Sequence, residues 1–182
     1  MPTENIIAHR VELARKGRFA QVIGKMPSGW LVVADTQPVP GYCILLADPV
    51  VSSLNALEGE ARQRYLTDVV AVGDALLAVT QAERINYETW CNLAPSLHTH
   101  IVPRYADEDA ARRVQPLCVG SDIAAARPFE PQVAAAVMQS MRAAVGIAPA
   151  EGETQAWPRP HLHPPASKPG APCARPDTGW TS

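Results

Sequence analysis

Residues 86–105, which read NYETWCNLAPSLHTHIVPRY, hold the side chains of this chain that are best suited to chemistry. His98 and His100 stand two positions apart in this stretch. The pKa of histidine lies near neutrality, so the side chain can serve as a nucleophile, a base or a proton donor. Two amide side chains that could contact an anion, Asn86 and Asn92, precede the histidines.

The two histidines fall within a predicted strand. Residues 97–102, LHTHIV, are rich in β-branched and apolar types and are followed by a proline. Because side chains alternate across a strand, His98 and His100 are expected on one face together with Val102. Residues two apart on a strand are separated by roughly 7 Å. That spacing can bracket a tetrahedral group such as a phosphate between an attacking nitrogen and a proton donor.

Three interpretations of the histidine pair are open. The pair could face solvent on an edge strand and have no role. It could ligate a metal, as His-x-His on a strand can, but no further His or Cys has a convincing spacing for a third ligand. It could carry phosphoryl or nucleotidyl transfer, which the surrounding sequence favours. No metal or cofactor is therefore predicted.

Residues 96–104, SLHTHIVPR, resemble the motif of the histidine-triad (HIT) superfamily of nucleotide hydrolases and transferases. That motif is His-x-His-x-His followed by two apolar residues and commonly by Pro-Arg. Ser96 stands in place of the first histidine, which indicates an atypical branch. The resemblance implies that His98 attacks the α-phosphorus to give a nucleotidyl-histidine intermediate. It also implies that His100 contacts the phosphate and assists the leaving group.

The resemblance extends to a set of nucleotide- and phosphate-binding candidates. Asn92 lies four residues before Ser96, where the family places a phosphate-contacting Gln or Asn, and Asn86 lies near a second such position. Asp35 follows an apolar strand at the acidic position that binds ribose hydroxyls in family members; from sequence alone it could also be a turn residue. The predicted binding residues are Asn92, Asn86, Ser96, Asp35 and Arg104.

One predicted binding residue has a second possible role, and two positions depart from the family pattern. Arg104 could neutralise phosphate charge, or it could form an ion pair with the acidic residues 107–109. Tyr42 stands where many members have histidine. Residues 48–50, DPV, stand where many have basic residues and histidine.

The elements that must position these residues can be predicted from periodicity and breakers. Thr3 can cap a first helix whose apolar face is Ile7, Val11 and Ala14, with Gly17 as its stop. The predicted elements are helix 3–16, strands 19–24, 30–34 and 42–47, helix 57–81, strands 84–91 and 97–102, an irregular stretch 106–130, and helix 131–145. This order predicts an α+β fold with a mainly antiparallel sheet and flanking helices, as in the HIT family.

The longest predicted helix, 57–81, has an apolar face at helical spacing. A glycine in the middle of that face is expected to allow close packing on the sheet. The predicted members of the face are Leu66, Val69, Val70, Leu76 and Leu77, with Gly73 between them.

Composition limits the remaining possibilities. The chain has 182 residues, is 47% hydrophobic and has a net charge of −2, which argues against bulk nucleic-acid binding. No apolar run suits a secretory signal or a membrane span, so a cytoplasmic protein is expected. The four cysteines are widely spread and predict neither a disulfide framework nor a zinc site.

The chain is expected to divide into a HIT-like domain, residues 1–146, and a disordered tail, residues 147–182. The tail holds eight of the chain's 18 prolines. It also contains a second His-x-His at 161–163, where flanking prolines argue against a central strand and hence against a site.

Together these observations predict a nucleotide phosphoanhydride or phosphoramidate hydrolase, or a nucleotidyl transferase. Its substrate would be a nucleotide, and like many relatives it would be a homodimer. The alternatives are a HIT-like protein that binds nucleotides without turnover, and a metal-dependent enzyme that uses His98 and His100.

Overall fold

The computed structural model describes residues 5–120 and 126–147. In chain order the elements are α1 (Ile6–Arg15), β1 (Val22–Met26), β2 (Gly29–Val33), β3 (Thr36–Gln37), β4 (Cys43–Ala47), a 3₁₀ turn (Leu54–Ala56), α2 (Gly59–Thr80), β5 (Arg84–Glu88), β6 (His98–Arg104), α3 (Ala110–Arg113), α4 (Leu117–Gly120), β7 (Arg127–Pro128) and α5 (Pro131–Ala144).

Five strands form one antiparallel sheet in the order β1-β2-β4-β6-β5. The central β4, CILLA, is buried at all five positions, as a continuous apolar run requires. β3 and β7 form a separate two-stranded ribbon. The predicted α+β fold with an antiparallel sheet and flanking helices is confirmed.

Helices cover both faces of the sheet. α2 and α5 pack on one face, around residues such as Leu45 and Ile101. α1 and the start of α4 pack on the other face, around Ile44 and Val102. The sheet is therefore the middle layer of the domain, and the α1 face is the one toward which β6 directs its even-numbered side chains.

α1 is fixed to this face by a cap and by its apolar side. Asn5 caps the helix: its Oδ1 accepts a hydrogen bond of 3.1 Å from the Ala8 amide. The predicted cap, Thr3, lies outside the described residues. The helix ends before Gly17, whose φ of +65° suits glycine, as predicted. The predicted apolar face is buried: Ile7, Val11 and Ala14.

Only two of the five apolar residues predicted to face the sheet from α2 are buried. Val69 and Leu76 are buried, but Leu66, Val70 and Leu77 point outward with 45%, 52% and 39% of their surfaces exposed. The side that faces the sheet consists of Tyr65, Asp68, Val69, Val72, Gly73, Ala75 and Leu76.

Two polar side chains explain why α2 is turned away from the predicted orientation. Asp68 is buried and accepts hydrogen bonds from the Ser28 amide (2.8 Å) and hydroxyl (2.6 Å). The Tyr65 hydroxyl contacts the Leu45 carbonyl and, at 2.9 Å, Thr99 Oγ1 on β6. Buried polar groups are tolerated where they are hydrogen-bonded, so a pattern of apolar residues alone misplaces this face.

Gly73 allows the close approach that the sequence predicts. A Cβ at this position would lie 1.9 Å from the Tyr87 hydroxyl of β5. The edge strand can therefore lie directly against α2 only if this residue has no side chain.

The stretch 106–130 contains more structure than predicted, since it includes α3, α4 and β7. The chain segment assigned to the tail, apart from residue 147, lies outside the described residues, as does the His-x-His at 161–163. Within the described part of the chain, no helix is both long and apolar enough to cross a membrane.

Candidate active site around His98 and His100

β6 brings the two histidines together on the α1 face of the sheet. The ring centroids of His98 and His100 are 4.9 Å apart and their planes meet at 77°. The shared face is as predicted, and the rings lean toward each other so that they approach more closely than the strand spacing. Their register partners on the neighbouring strand β4 are Leu46 and Ile44, so the histidines have apolar neighbours on this face.

The tautomer of His98 is set by the main chain. Its Nδ1 lies 2.7 Å from the Ser96 carbonyl oxygen, and a carbonyl can only accept, so Nδ1 carries the proton. The neutral ring then presents an unprotonated Nε2. Burial, together with the nearby Arg10, lowers the pKa of His98 and outweighs the raising effect of the Ser96 carbonyl. His98 is therefore a neutral imidazole at pH 7 with a lone pair available for attack.

The imidazole of His100 is held by the side chain of Tyr42. The Tyr42 hydroxyl is hydrogen-bonded to His100 Nδ1. Burial raises the pKa of Tyr42, so the hydroxyl keeps its proton. Burial and the neighbouring His98 lower the pKa of His100 to about 4. His100 is therefore neutral at pH 7. With the Tyr42 hydroxyl as donor to Nδ1, its proton lies on Nε2, where it can donate a hydrogen bond.

Ser96 lies two residues before His98 and is 2% exposed. Its Oγ accepts a 2.7 Å hydrogen bond from Asn5 Nδ2 at the start of α1. Its carbonyl accepts from His98, so its main chain and its side chain serve different partners. The main-chain contact does not depend on residue type, whereas Asn5 is a partner that sequence reasoning missed.

Asp35 lies at the end of β2, where the sequence places it, but with partners that were not predicted. One carboxylate oxygen forms an ion pair with Arg10 of α1. The other accepts a 3.1 Å hydrogen bond from Gln21 Nε2. The charge of Arg10 also contributes to lowering the pKa of both imidazoles. Its carboxylate partner lies 25 residues away in the sequence, so no local pattern marks Arg10.

Arg104, one of the predicted phosphate-binding residues, has protein partners in this structure. It is 3% exposed, and its Nε and Nη2 donate to the Glu108 carboxylate at 2.7–3.1 Å. Nη1 donates to the Gln115 carbonyl and Nη2 to the Arg112 carbonyl. Of the two roles left open by the sequence, the ion pair with an acidic neighbour is the one observed. These bonds hold the segment around α3 against β6.

The two predicted asparagines lie in different parts of the structure. Asn92 is exposed in the loop before β6. Asn86 is paired in register with Val102, two residues farther along β6 than His100, and lines a surface depression at the free edge of β5. Asn86 therefore lies beyond His100 as seen from His98.

Glu88 is a further neighbour that sequence reasoning missed. It pairs in register with His100. Its Oε1 accepts a 2.9 Å hydrogen bond from the Leu117 amide, and its charge adds to the burial that raises the pKa of Tyr42. The strand register, which the sequence alone does not give, was needed to find it.

The metal-dependent alternative finds no ligand set in the described residues. Among them, no group of three or more His, Cys, Asp or Glu side chains is arranged to hold an ion. A catalytic zinc takes three protein ligands, one more than the histidine pair supplies.

Comparison with known proteins found similar solved structures but no matching family model. No family model matches the chain, and no curated protein matches it either. Solved structures do match: a histidine triad protein from Bradyrhizobium japonicum, at 20% identity and a TM-score of 0.59, covers 68% of this chain and 89% of its own. A Hit-like protein involved in cell-cycle regulation from Bartonella henselae, at 17% identity and a TM-score of 0.60, covers 79% and 98%.

A third similar structure is a hypothetical histidine triad nucleotide-binding protein from Sulfolobus tokodaii. It is 10% identical, has a TM-score of 0.59, and covers 76% of this chain and 91% of its own. At these identities the likeness is one of fold. The described residues have the fold of histidine triad proteins.

Proposed function

We propose that this chain is a HIT-superfamily nucleotide hydrolase or nucleotidyl transferase that acts at the α-phosphate through a nucleotidyl-histidine intermediate. One observation carries the proposal: the Ser96 carbonyl fixes the proton of His98 on Nδ1, which leaves Nε2 as a free nucleophile. The histidine-triad fold and the second imidazole, 4.9 Å away between centroids, support it.

In the first step, His98 Nε2 attacks the α-phosphorus and forms a P–N bond while the bond from phosphorus to the leaving group breaks. The leaving group departs with the electron pair and takes up a proton. In the second step, water attacks the same phosphorus and gives up a proton, which balances the one taken up by the leaving group, while the P–N bond breaks and the electron pair returns to His98. Hydrolysis yields a nucleoside monophosphate and regenerates the enzyme, whereas a second nucleophile in place of water would give nucleotidyl transfer.

Other residues would stabilise charge and hold the sugar. The Nε2–H of His100 would donate to a phosphoryl oxygen, because Tyr42 occupies its Nδ1. Asn92 in the loop before β6 would contribute an amide donor. Asp35 would accept hydrogen bonds from the ribose hydroxyls, as the resemblance implies. The role of Asn86 would be indirect, because it is in register with Val102 rather than with the histidines.

Replacement of the first triad histidine by Ser96 is compatible with this chemistry. The group that orients His98 is a main-chain carbonyl, which any residue would supply. The Ser96 side chain is itself satisfied by Asn5. We therefore propose that this branch keeps the nucleophile and holds the preceding loop with α1 in place of an imidazole.

We also propose a homodimer formed through the edge strand β5 and α2. β5 pairs only with β6 within the described sheet, so its other edge is open. Tyr87 on β5 is 44% exposed, and the outward stripe of Leu66, Val70 and Leu77 lies on α2, which β5 packs against. Sedimentation velocity should give twice the chain mass, and Val70→Glu should return the monomer.

The decisive test is turnover of a dinucleoside polyphosphate and a nucleoside phosphoramidate by wild type and His98→Ala, each with and without chelator. We expect the variant to lose activity by roughly 10³-fold or more, the scale seen when a covalent nucleophile is removed. His9→Ala is the matched control, because His9 is exposed on α1. Mass spectrometry of quenched wild type should find a nucleotidyl group on His98.

The outcomes separate the alternatives. Nucleotide binding that survives in His98→Ala, combined with no turnover by folded wild type, would favour a non-catalytic nucleotide-binding protein. Turnover abolished by chelator would favour a metal-dependent enzyme. Turnover that persists in His98→Ala would contradict the covalent mechanism itself.

A further inference from the structure

α1 lies over the histidines and contributes polar groups to their surroundings. Ile7 and Val11 are 3% and 0% exposed and pack in the same cluster as Ile44 and Val102, so the helix cannot shift easily. Asn5 ties its first turn to the loop before β6. Arg10 is therefore projected toward the site from a rigid element.

Arg10 is bonded to the Asp35 carboxylate, on the same face of the sheet as the imidazoles. Its Nη2 donates to Asp35, and 20% of its side chain is exposed. Its charge also reaches both His98 and His100, whose pKa values it helps to lower. Because both imidazoles are neutral at pH 7, neither offsets the charge of a phosphate, whereas a guanidinium keeps its charge at any physiological pH.

We propose that Arg10 binds the phosphate of the nucleotide and leaves Asp35 when it does so, which frees one oxygen of the Asp35 carboxylate for the ribose. This inference rests on the proposed function and adds a residue and a coupling to it. Arg10 would act as a clamp that makes binding of the phosphate and binding of the sugar depend on each other.

The chemistry of the two anions favours the exchange. A guanidinium matches the geometry of a phosphate bidentately, and the phosphate carries more charge than one carboxylate. The pair that must break is solvent-accessible on the Asp35 side, which is 47% exposed, and exposed ion pairs contribute little to stability. Without ligand, both Asp35 oxygens have protein partners, Arg10 and Gln21, which compete with ribose hydroxyls.

The coupling implies a preference. A nucleoside must compete with Arg10 for Asp35, whereas a nucleotide offers Arg10 a better partner and takes the carboxylate at the same time. The phosphate should therefore strengthen binding by more than its own contacts would. The ligand class is a ribonucleotide with at least one phosphate on the 5′ side.

The experiment is calorimetric titration of the four common ribonucleoside monophosphates and their nucleosides into the full chain. The proteins are wild type, Arg10→Gln, Arg10→Lys and Arg15→Gln. Arg15 is the matched control, since it lies on the same helix but pairs with Asp48. Arg10→Gln should weaken monophosphate binding by roughly tenfold or more, as loss of a charged hydrogen-bonded contact does.

The other arms sharpen the result. Arg10→Gln should bind the nucleosides as tightly as wild type or more tightly, because Asp35 is released. Arg10→Lys, which keeps the charge without the fork, should fall between wild type and Arg10→Gln. Arg15→Gln should match wild type throughout.

Two results would overturn the inference while the proposed function stands: monophosphate affinity unchanged in Arg10→Gln, or equal losses for nucleoside and monophosphate. The second result would mark a purely structural role. If wild type, with a normal thermal transition, binds none of the nucleotides, the proposed function fails and this inference fails with it.

Discussion

The two ends of β6 place polar side chains on the same face of the same strand, yet to opposite purposes. At its start, His98 and His100 each use Nδ1 for a protein contact, to Ser96 and Tyr42, which leaves Nε2 of each ring for a ligand. At its end, Arg104 gives its guanidinium nitrogens to Glu108 and to main-chain carbonyls. Arg104, whose nitrogens all have protein acceptors, stabilises the fold. Each histidine is held through one nitrogen, so its other nitrogen can contact a ligand.

The largest effect that would sharpen this contrast is expected at Arg104. Arg104→Met should lower the free energy of unfolding by about 3 kcal/mol, because it removes the guanidinium from the partly buried Glu108 carboxylate, which keeps the Tyr105 amide, and removes donors from two carbonyls. Urea denaturation measures the loss. The turnover of the folded fraction should stay at the wild-type level.

A surface arginine supplies the control for that variant. Arg113 pairs with Glu83, and the two side chains are 33% and 45% exposed. Arg113→Met should therefore lower stability by less than about 1 kcal/mol. A fall in turnover per folded Arg104→Met molecule, or equal stability losses in both variants, would contradict the division of labour between the two ends.

The second prediction concerns the loss of folding stability at acidic pH. His100 has its pKa lowered to about 4, so between this value and the unfolded pKa near 6.5 the unfolded chain binds more protons than the folded one. The stabilising contribution is complete above pH 6.5 and is lost as pH falls toward 4, by at most roughly 3 kcal/mol. Denaturation at several pH values measures it.

His100→Gln is the variant for that prediction, because it removes the titrating ring and should flatten the dependence over this range. His98, whose pKa is also lowered, remains and leaves a smaller slope. A pH profile identical in wild type and His100→Gln would mean that His100 is not the neutral donor proposed here.

Tyr42→Phe tests how His100 is held. The variant removes the hydroxyl that is hydrogen-bonded to Nδ1 and should lower kcat by roughly tenfold, about the worth of one buried hydrogen bond. KM should change less, because Tyr42 acts through His100. The imidazole pKa of His100, followed by NMR, should rise, since a bond to the neutral form is lost. An unchanged pKa and kcat would indicate that the contact is packing only.

The sequence predicted a large part of this molecule because the relevant signals are local. Alternation in LHTHIV put both histidines on one face, and the runs around β2 and β4 predicted an antiparallel pair. The glycine within α2 predicted a close approach, which Tyr87 makes. Each of these follows from periodicity or sterics within a few residues.

What the sequence did not predict depends on pairing between distant residues. Asn5 with Ser96, Arg10 with Asp35, and the register of Glu88 with His100 each join positions more than ten residues apart. The orientation of α2 was misjudged because Asp68 is buried with a partner on another element. Arg104 stayed ambiguous because an arginine near acidic residues suits both roles.

The smallest effect is expected at Ser96, and it separates its main chain from its side chain. Ser96→Ala leaves Asn5 Nδ2 without its acceptor and should cost about 1 kcal/mol of stability. Turnover should stay near the wild-type level, because the carbonyl that orients His98 is retained. Thermal unfolding and steady-state kinetics on one preparation measure both. A loss of turnover comparable to that of His98→Ala would assign the orienting role to the hydroxyl and would remove the main-chain account of how this chain functions without a first histidine.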